Sequence, residues 1–364
     1  MAHSLKKMRF ALLLVVLALL AAGCQGQLPS SSWPGLGSAD STLYVASGPK
    51  IIAIDTTKSE STPVWSFPPA DTKSGEMFYA PPVRSGKQLF VGSFQDKLHA
   101  LSADSGAPMW TFPTGGGIVG SVTVTNGVVY LGADDRKVYA LSAENGTKKW
   151  EFAMKNWGWA TPVYRNGKLY VGSTDHHLYC LNAADGSVAW DFQARGAIAS
   201  SPQVSGGKVY FGDFERTVYA LDAATGKQTW TASTQGWVWG SAALAGNVLY
   251  VADLTGNVYA FSAENGAPVW PQPFNTGGAV RGDVLVRDGV VYLVAEHGHA
   301  DALNAATGAP KWQYTSDLAA KQGGFLSTPI LSGDVLYAVS AGGFVYGINT
   351  ANGSEKWTFS PPQG

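Results

Sequence analysis

Trp110, Trp150, Trp190, Trp230, Trp270, Trp312 and Trp357 each close the same short phrase: a polar residue, Ala or Thr, two variable residues, Gly, three more residues, then Trp. A degenerate eighth copy runs from Asp55 to Trp65. Successive Trp residues lie 45, 40, 40, 40, 40, 42 and 45 positions apart. A fixed period in this range, in units that hold only strand patterns, predicts a β-propeller with one blade per unit. The chain is therefore expected to be all-β, an eight-bladed β-propeller of four-stranded antiparallel blades. No helical periodicity interrupts it after residue 23.

Residues 158–192 illustrate one blade. Strands are expected at 160–164, 169–173, 178–182 and 188–192, with Arg165-Asn166-Gly167-Lys168 as a hairpin turn in which Gly supplies a positive φ. Leu169-Tyr170-Val171 and Leu178-Tyr179-Cys180-Leu181 are apolar on both faces, which suits sheets sandwiched between neighbouring blades. Trp65, Trp110, Trp150, Trp190, Trp230, Trp270, Trp312 and Trp357 read as structural blade residues. Each ring would cover an adjacent turn, and each indole N–H would find a backbone acceptor. Pro82, Pro162, Pro202 and Pro329 mark innermost strands, eight residues before the next strand's aromatic. In blade one, 33–36 is expected to supply that strand and close the ring, with closure by the C-terminal tail as the alternative.

The chain ahead of the repeats reads differently. Lys6, Lys7 and Arg9 precede an apolar run from Phe10 to Ala22, 13 residues long and too short for a stable membrane span. It ends in Leu20-Ala21-Ala22-Gly23-Cys24, which resembles a bacterial lipobox with Cys24 as the lipidated residue. The expected organisation is a lipoprotein signal peptide over 1–23, a tether over 24–32 and one propeller domain over 33–364. Without the first 23 residues the chain holds 22 basic and 26 acidic residues, a net charge of −4, which points away from nucleic acid. Cys180 would then be the last free thiol. It fills a slot that is Ala140, Ala220 or Ala260 in other repeats and reads as a small buried side chain.

The run Val218-Tyr219-Ala220-Leu221-Asp222-Ala223-Ala224-Thr225-Gly226-Lys227-Gln228-Thr229-Trp230 is similar to the PQQ-type propeller repeat, and Leu169–Ser173 resembles that repeat's second strand. The resemblance covers about residues 33 to 359. It implies the propeller fold but divides on function, between quinoprotein dehydrogenases and propellers that bind no quinone. In organisation the chain looks most like the BamB-like outer-membrane assembly lipoproteins. That likeness implies a non-catalytic, lipid-anchored, extracytoplasmic scaffold, a monomer without cofactor, whose partner is another envelope protein, membrane-embedded or not. The alternative is a PQQ- or sugar-binding propeller, even a minimal dehydrogenase. In those enzymes the resemblance places the quinone on the propeller axis, over a Trp and under a Cys-Cys disulfide ring, beside a carboxylate-bound calcium. This sequence has no Cys-Cys pair and no blade insertion longer than about five residues.

Aligning the repeats places Tyr79, Val119, Trp159, Ala199, Trp239, Arg281 and Leu326 in a ring near one mouth of the central channel. Trp157 and Trp237 sit two residues earlier, and Phe78 and Phe325 lie beside their ring positions. Two readings compete: bulky side chains plugging a wide axis, or a binding face, since Trp and Arg are enriched at binding hot spots. The candidate face is Phe78, Tyr79, Trp157, Trp159, Trp237, Trp239, Arg281 and Phe325, with Trp157 and Trp237 the most exposed. The same side collects the turns Gln95-Asp96, Asp134-Asp135-Arg136, Asp175-His176-His177, Glu215-Arg216 and His297-Gly298-His299. Their histidines belong to separate blades, so these read as solvated turn residues rather than one metal site; His297-Gly298-His299 alone could hold a metal weakly. The tether would arrive on this face and turn it toward the membrane.

Overall fold

The computed structural model describes residues 33–58, 62–69, 72 and 75–361. The expected signal peptide, the tether and Cys24 lie outside the described residues. Among the described residues, thirty-two strands form eight four-stranded antiparallel sheets, each built from four strands consecutive in sequence. In blade four they are Val163–Arg165, Lys168–Gly172, His177–Asn182 and Val188–Gln193. The innermost strand is thus shorter than the sequence pattern implies and starts just after Pro162. A residue without an N–H cannot extend the ladder. The same holds after Pro82, Pro202 and Pro329.

Blade packing explains the repeated phrase. Trp190 of blade four donates its Nε1–H to the Ala223 carbonyl of blade five (3.1 Å), and the Tyr170 hydroxyl donates to the same oxygen (3.2 Å). The ring of Trp190 lies on Gly226, where φ is +71° and an added Cβ would come within 2.7 Å of the indole. The Gly and the Trp of one phrase therefore serve opposite neighbours: the Gly receives the preceding blade's indole and the Trp covers the following blade's turn. Seven indoles make this contact, from Trp65 on Ala103 to Trp312 on Thr350.

Blade one departs from expectation in detail. Its innermost strand is Gly35–Ala39, paired with Thr42–Ala46, so Trp33 and Pro34 precede the strand instead of forming it. Among the described residues, neither end lends a strand to the other's blade. Blades eight and one meet through packing, with Leu36, Leu43, Val45 and Ile54 against Tyr337, Val339, Val345 and Phe359. One short helix, Asp317–Lys321, follows blade seven, with Ser316 accepting from the Ala319 N–H as its cap. Five residues are too few to show a periodicity in sequence. Among the described residues no helix is long and apolar enough to cross a membrane.

Candidate functional site at the channel mouth

In a blade whose strands run inward to outward, the loops between blades and the turns joining second to third strands share one face. Buried carboxylates shape that face. In blades five and six, Asp213 and Asp253 each accept a loop amide, from Gly196 (2.9 Å) and Gly236 (2.8 Å), and a hydroxyl, from Tyr219 (3.0 Å) and Tyr259 (2.8 Å). Blades three and four do the same with Asp135 and Asp175, two positions later in the turn, on Tyr139 and Tyr179. These acids are turn anchors, not free ligands. The carboxylates in this region are largely consumed by the fold.

On this frame the aromatic side chains converge. Trp157 stacks on Trp159 (5.3 Å, 21°), Trp159 tilts against Trp239 (5.9 Å, 36°), Trp239 stacks on Phe214 (5.4 Å, 19°), and Phe214 stacks on Trp237 (5.1 Å, 12°). A continuous column of five rings therefore joins the loop before blade four to the loop before blade six. Trp33 meets the middle of the column edge-on, 5.5 Å from Trp239. Arg281 lies over both rings, 5.9 Å from Trp33 and 5.8 Å from Trp239, and is held by Glu296 at 2.5 Å. Trp159 donates to Asp134 (2.8 Å), whose carboxyl burial pushes above the usual range despite that bond. The inner rings plug the axis while the ends stay open: Trp157 is 38% exposed and Trp237 43%. Trp157 and Trp237 are thus exposed, as the sequence suggested, whereas Trp159 and Trp239 are half-buried.

Phe78 and Phe325 do not belong to this face. Both are fully buried, Phe78 against Phe67 and His99, Phe325 against Tyr346. Their slot is Ile118, Ile198, Val238 and Val280 in other blades, all buried between sheets. It faces the neighbouring blade, one residue away from the ring that faces the axis. Tyr79, half-buried, packs edge-on against exposed Phe94, and burial raises its hydroxyl pKa. Of the other ring positions, Ala199 is buried and Val119 and Leu326 are half-buried. Sequence reasoning missed Trp33, Phe214, Phe94 and Leu318. Trp33 carried a signal, being a Trp outside the repeated phrase; Phe94 and Phe214 sit in turns of ordinary length and look unremarkable in sequence, and Leu318 sits in the loop between Thr315 and Ile330, which is longer than its counterpart between Ala153 and Val163.

Cys180 is fully buried in blade four, and burial pushes its thiol up to about 11, which leaves it unreactive. His177 pairs with Asp191 (2.9 Å) and His299 contacts the Thr276 carbonyl (3.3 Å), in blades four and seven respectively. The mouth does not suit a planar quinone. The Trp faces that would sandwich one are stacked on each other, Arg281 is committed to Glu296, and the described thiol lies inside a blade.

A comparison with curated proteins finds no match. Among solved structures, the chain is similar to BamB from Moraxella catarrhalis, at 16% identity and a TM-score of 0.70 over 85% of this chain and 92% of that one. It is similar also to the computationally designed protein Ika8, at 12% identity and a TM-score of 0.73 over 92% and 97%. These likenesses concern the fold. The sequence itself matches the family model described as outer membrane protein assembly factor BamB over residues 59–156, 153–236 and 215–361. Matched over most of its length, this chain belongs to the outer membrane protein assembly factor BamB family.

Proposed function

We propose that the chain is a non-catalytic, protein-binding scaffold of the cell envelope, anchored through lipid at Cys24 and engaged in outer-membrane protein assembly. The observation that carries this reading is the five-ring column at the channel mouth, open at Trp157 and Trp237. Stacked rings present large apolar area at little conformational cost, and such anchors dominate protein interfaces. The family description supplies the setting. The partner is a single envelope protein, membrane-embedded, and the scaffold acts as a monomer without cofactor.

Photo-cross-linking in living cells tests this. A cross-linking amino acid placed at Trp157 or Trp237 is expected to capture one and the same envelope protein. Val188, exposed on the opposite side of blade four, is the control position. If Trp157 and Trp237 capture no more than Val188 does, the scaffold reading fails.

A further inference from the structure

The pair Asn-Gly occurs five times, at Asn126-Gly127, Asn145-Gly146, Asn166-Gly167, Asn265-Gly266 and Asn352-Gly353. An Asn followed by Gly carries a latent reaction, in which the Gly backbone nitrogen attacks the Asn side-chain carbonyl carbon. Gly has no Cβ to obstruct that approach. The fold divides these five identical pairs into two groups.

Asn145, Asn265 and Asn352 belong to the repeated phrase, and the nitrogen that follows each is sealed. Gly146, Gly266 and Gly353 donate their N–H groups to the carbonyls of Ser142 (2.9 Å), Ser262 (2.8 Å) and Asn349 (2.8 Å). The three Asn Oδ1 atoms accept from the amides of Thr147, Ala267 and Ser354, each at 3.0 Å, which holds the side chains in Asx turns. All three glycines are buried, under the rings of Trp110, Trp230 and Trp312. Asn126 and Asn166 stand instead in the two-residue turns between the first and second strands of blades three and four, where Thr125 pairs with Val128 and Arg165 with Lys168. Asn and Gly are both exposed in each turn, and a Cβ on either Gly would meet nothing within 4 Å. Neither Gly127 nor Gly167 donates its N–H to an acceptor among the described residues. The Asn126 side chain makes one long bond, from Nδ2 to the Tyr164 hydroxyl at 3.4 Å, which leaves its Oδ1 free.

We infer that Asn126 and Asn166 are sites of spontaneous covalent modification, deamidation with water as co-reactant, and that the joint between blades protects Asn145, Asn265 and Asn352 from it. The Gly nitrogen gives its proton to solvent and attacks the Asn Cγ. The N–Cγ bond forms, the Cγ–Nδ2 bond breaks and Nδ2 leaves as ammonia, which closes a cyclic imide. Water then opens the imide at one of its two carbonyl carbons. Opening on the Cγ side leaves aspartate; opening on the backbone side leaves isoaspartate, with the main chain routed through Cγ. Each event adds a carboxylate in one of two neighbouring blades, on the face opposite the channel mouth. The isoaspartate form also adds a backbone atom to a turn whose pairing has room for two residues, and so disturbs the hairpin of Val163–Arg165 with Lys168–Gly172.

The test follows all five sites in the full chain, kept folded in mildly alkaline buffer at physiological temperature. Chymotryptic peptides are scored by mass spectrometry for the exchange of amide for acid, and isoaspartate is detected with a methyltransferase specific for its carboxylate. Asn126 and Asn166 are expected to convert at least about ten times faster than Asn145, Asn265 and Asn352, which react only when a blade joint opens locally. In concentrated urea the five rates are expected to converge, because every Gly nitrogen is then exposed. Equal persistence of all five sites in the folded chain overturns the inference. The same two sites leading by the same margin in urea also overturns it, since the difference would then belong to the local sequence and not to the fold.

Discussion

Asp301 occupies a third-strand position that blades three to six fill with Tyr139, Tyr179, Tyr219 and Tyr259. It is fully buried, Gln313 donates to its Oδ1 at 2.8 Å, and its Oδ2 finds no partner among the described residues. Burial pushes the carboxyl up to about 6. A carboxyl whose folded value exceeds its unfolded value near 3.8 stabilises the fold most when protonated, below about pH 4. Stability is therefore lost as pH rises through 4 to 6, by up to about 3 kcal/mol, and stays flat above. Asp301→Asn is expected to raise the melting temperature at pH 7.5 and to flatten the profile between pH 4 and 6. An unchanged profile in thermal denaturation would sink this account. Residue-scale features of this kind were partly legible. Trp157 and Trp237 stood out because they break the repeat, whereas Phe78 and Phe325 were misplaced because one residue along a loop separates the axis from a blade interior.

The turn before each outer strand shows why the phrase needs both Gly and Trp. Gly167 and Gly226 have similar φ values, +76° and +71°, but an added Cβ meets nothing within 4 Å at Gly167 and the Trp190 ring at 2.7 Å at Gly226. Gly167→Ala is expected to cost about 1 kcal/mol, the left-handed backbone penalty alone. Gly226→Ala adds a clash with a ring already bonded to Ala223, and a loss above about 2 kcal/mol is expected. Equal losses in urea titrations would mean that the ring contact is unimportant. At this scale the sequence was most informative, since strand order and number follow from the period. The inner strands were overdrawn, because alternating apolar residues continue past the point where Pro ends the ladder. The short helix after blade seven left no periodic trace.

The whole ring repeats one joint seven times and omits it once. Trp357 faces blade one, where the corresponding turn has no Gly between Asp55 and Trp65, and its Nε1 is buried without a partner among the described residues. Thr56, which aligns with Ala103 and its counterparts, receives no indole. The seam between blades eight and one thus lacks the indole bond of the other joints and rests on apolar packing and the bond from the Ser327 hydroxyl to the Pro34 carbonyl. Hydrogen exchange is expected to be faster in Thr42–Ser47 and Val335–Val339 than in the equivalent strands of blades four and five. Uniform protection across all eight blades would contradict a weak seam. The degenerate eighth phrase was visible in sequence; its consequence was not, because the joint depends on which blade follows, and the last blade is followed by the first.

A ring joined in this way has an order in time. The Ser327 hydroxyl donates to the Pro34 carbonyl across 293 positions of sequence, so the first blade must wait for nearly the whole chain before its flank is covered. Until then Leu43, Val45 and Ile54 remain uncovered on a nascent edge. Contacts of such range form late and slowly, and an uncovered apolar flank invites association with other chains. Blade eight is thus what ends the first blade's exposure.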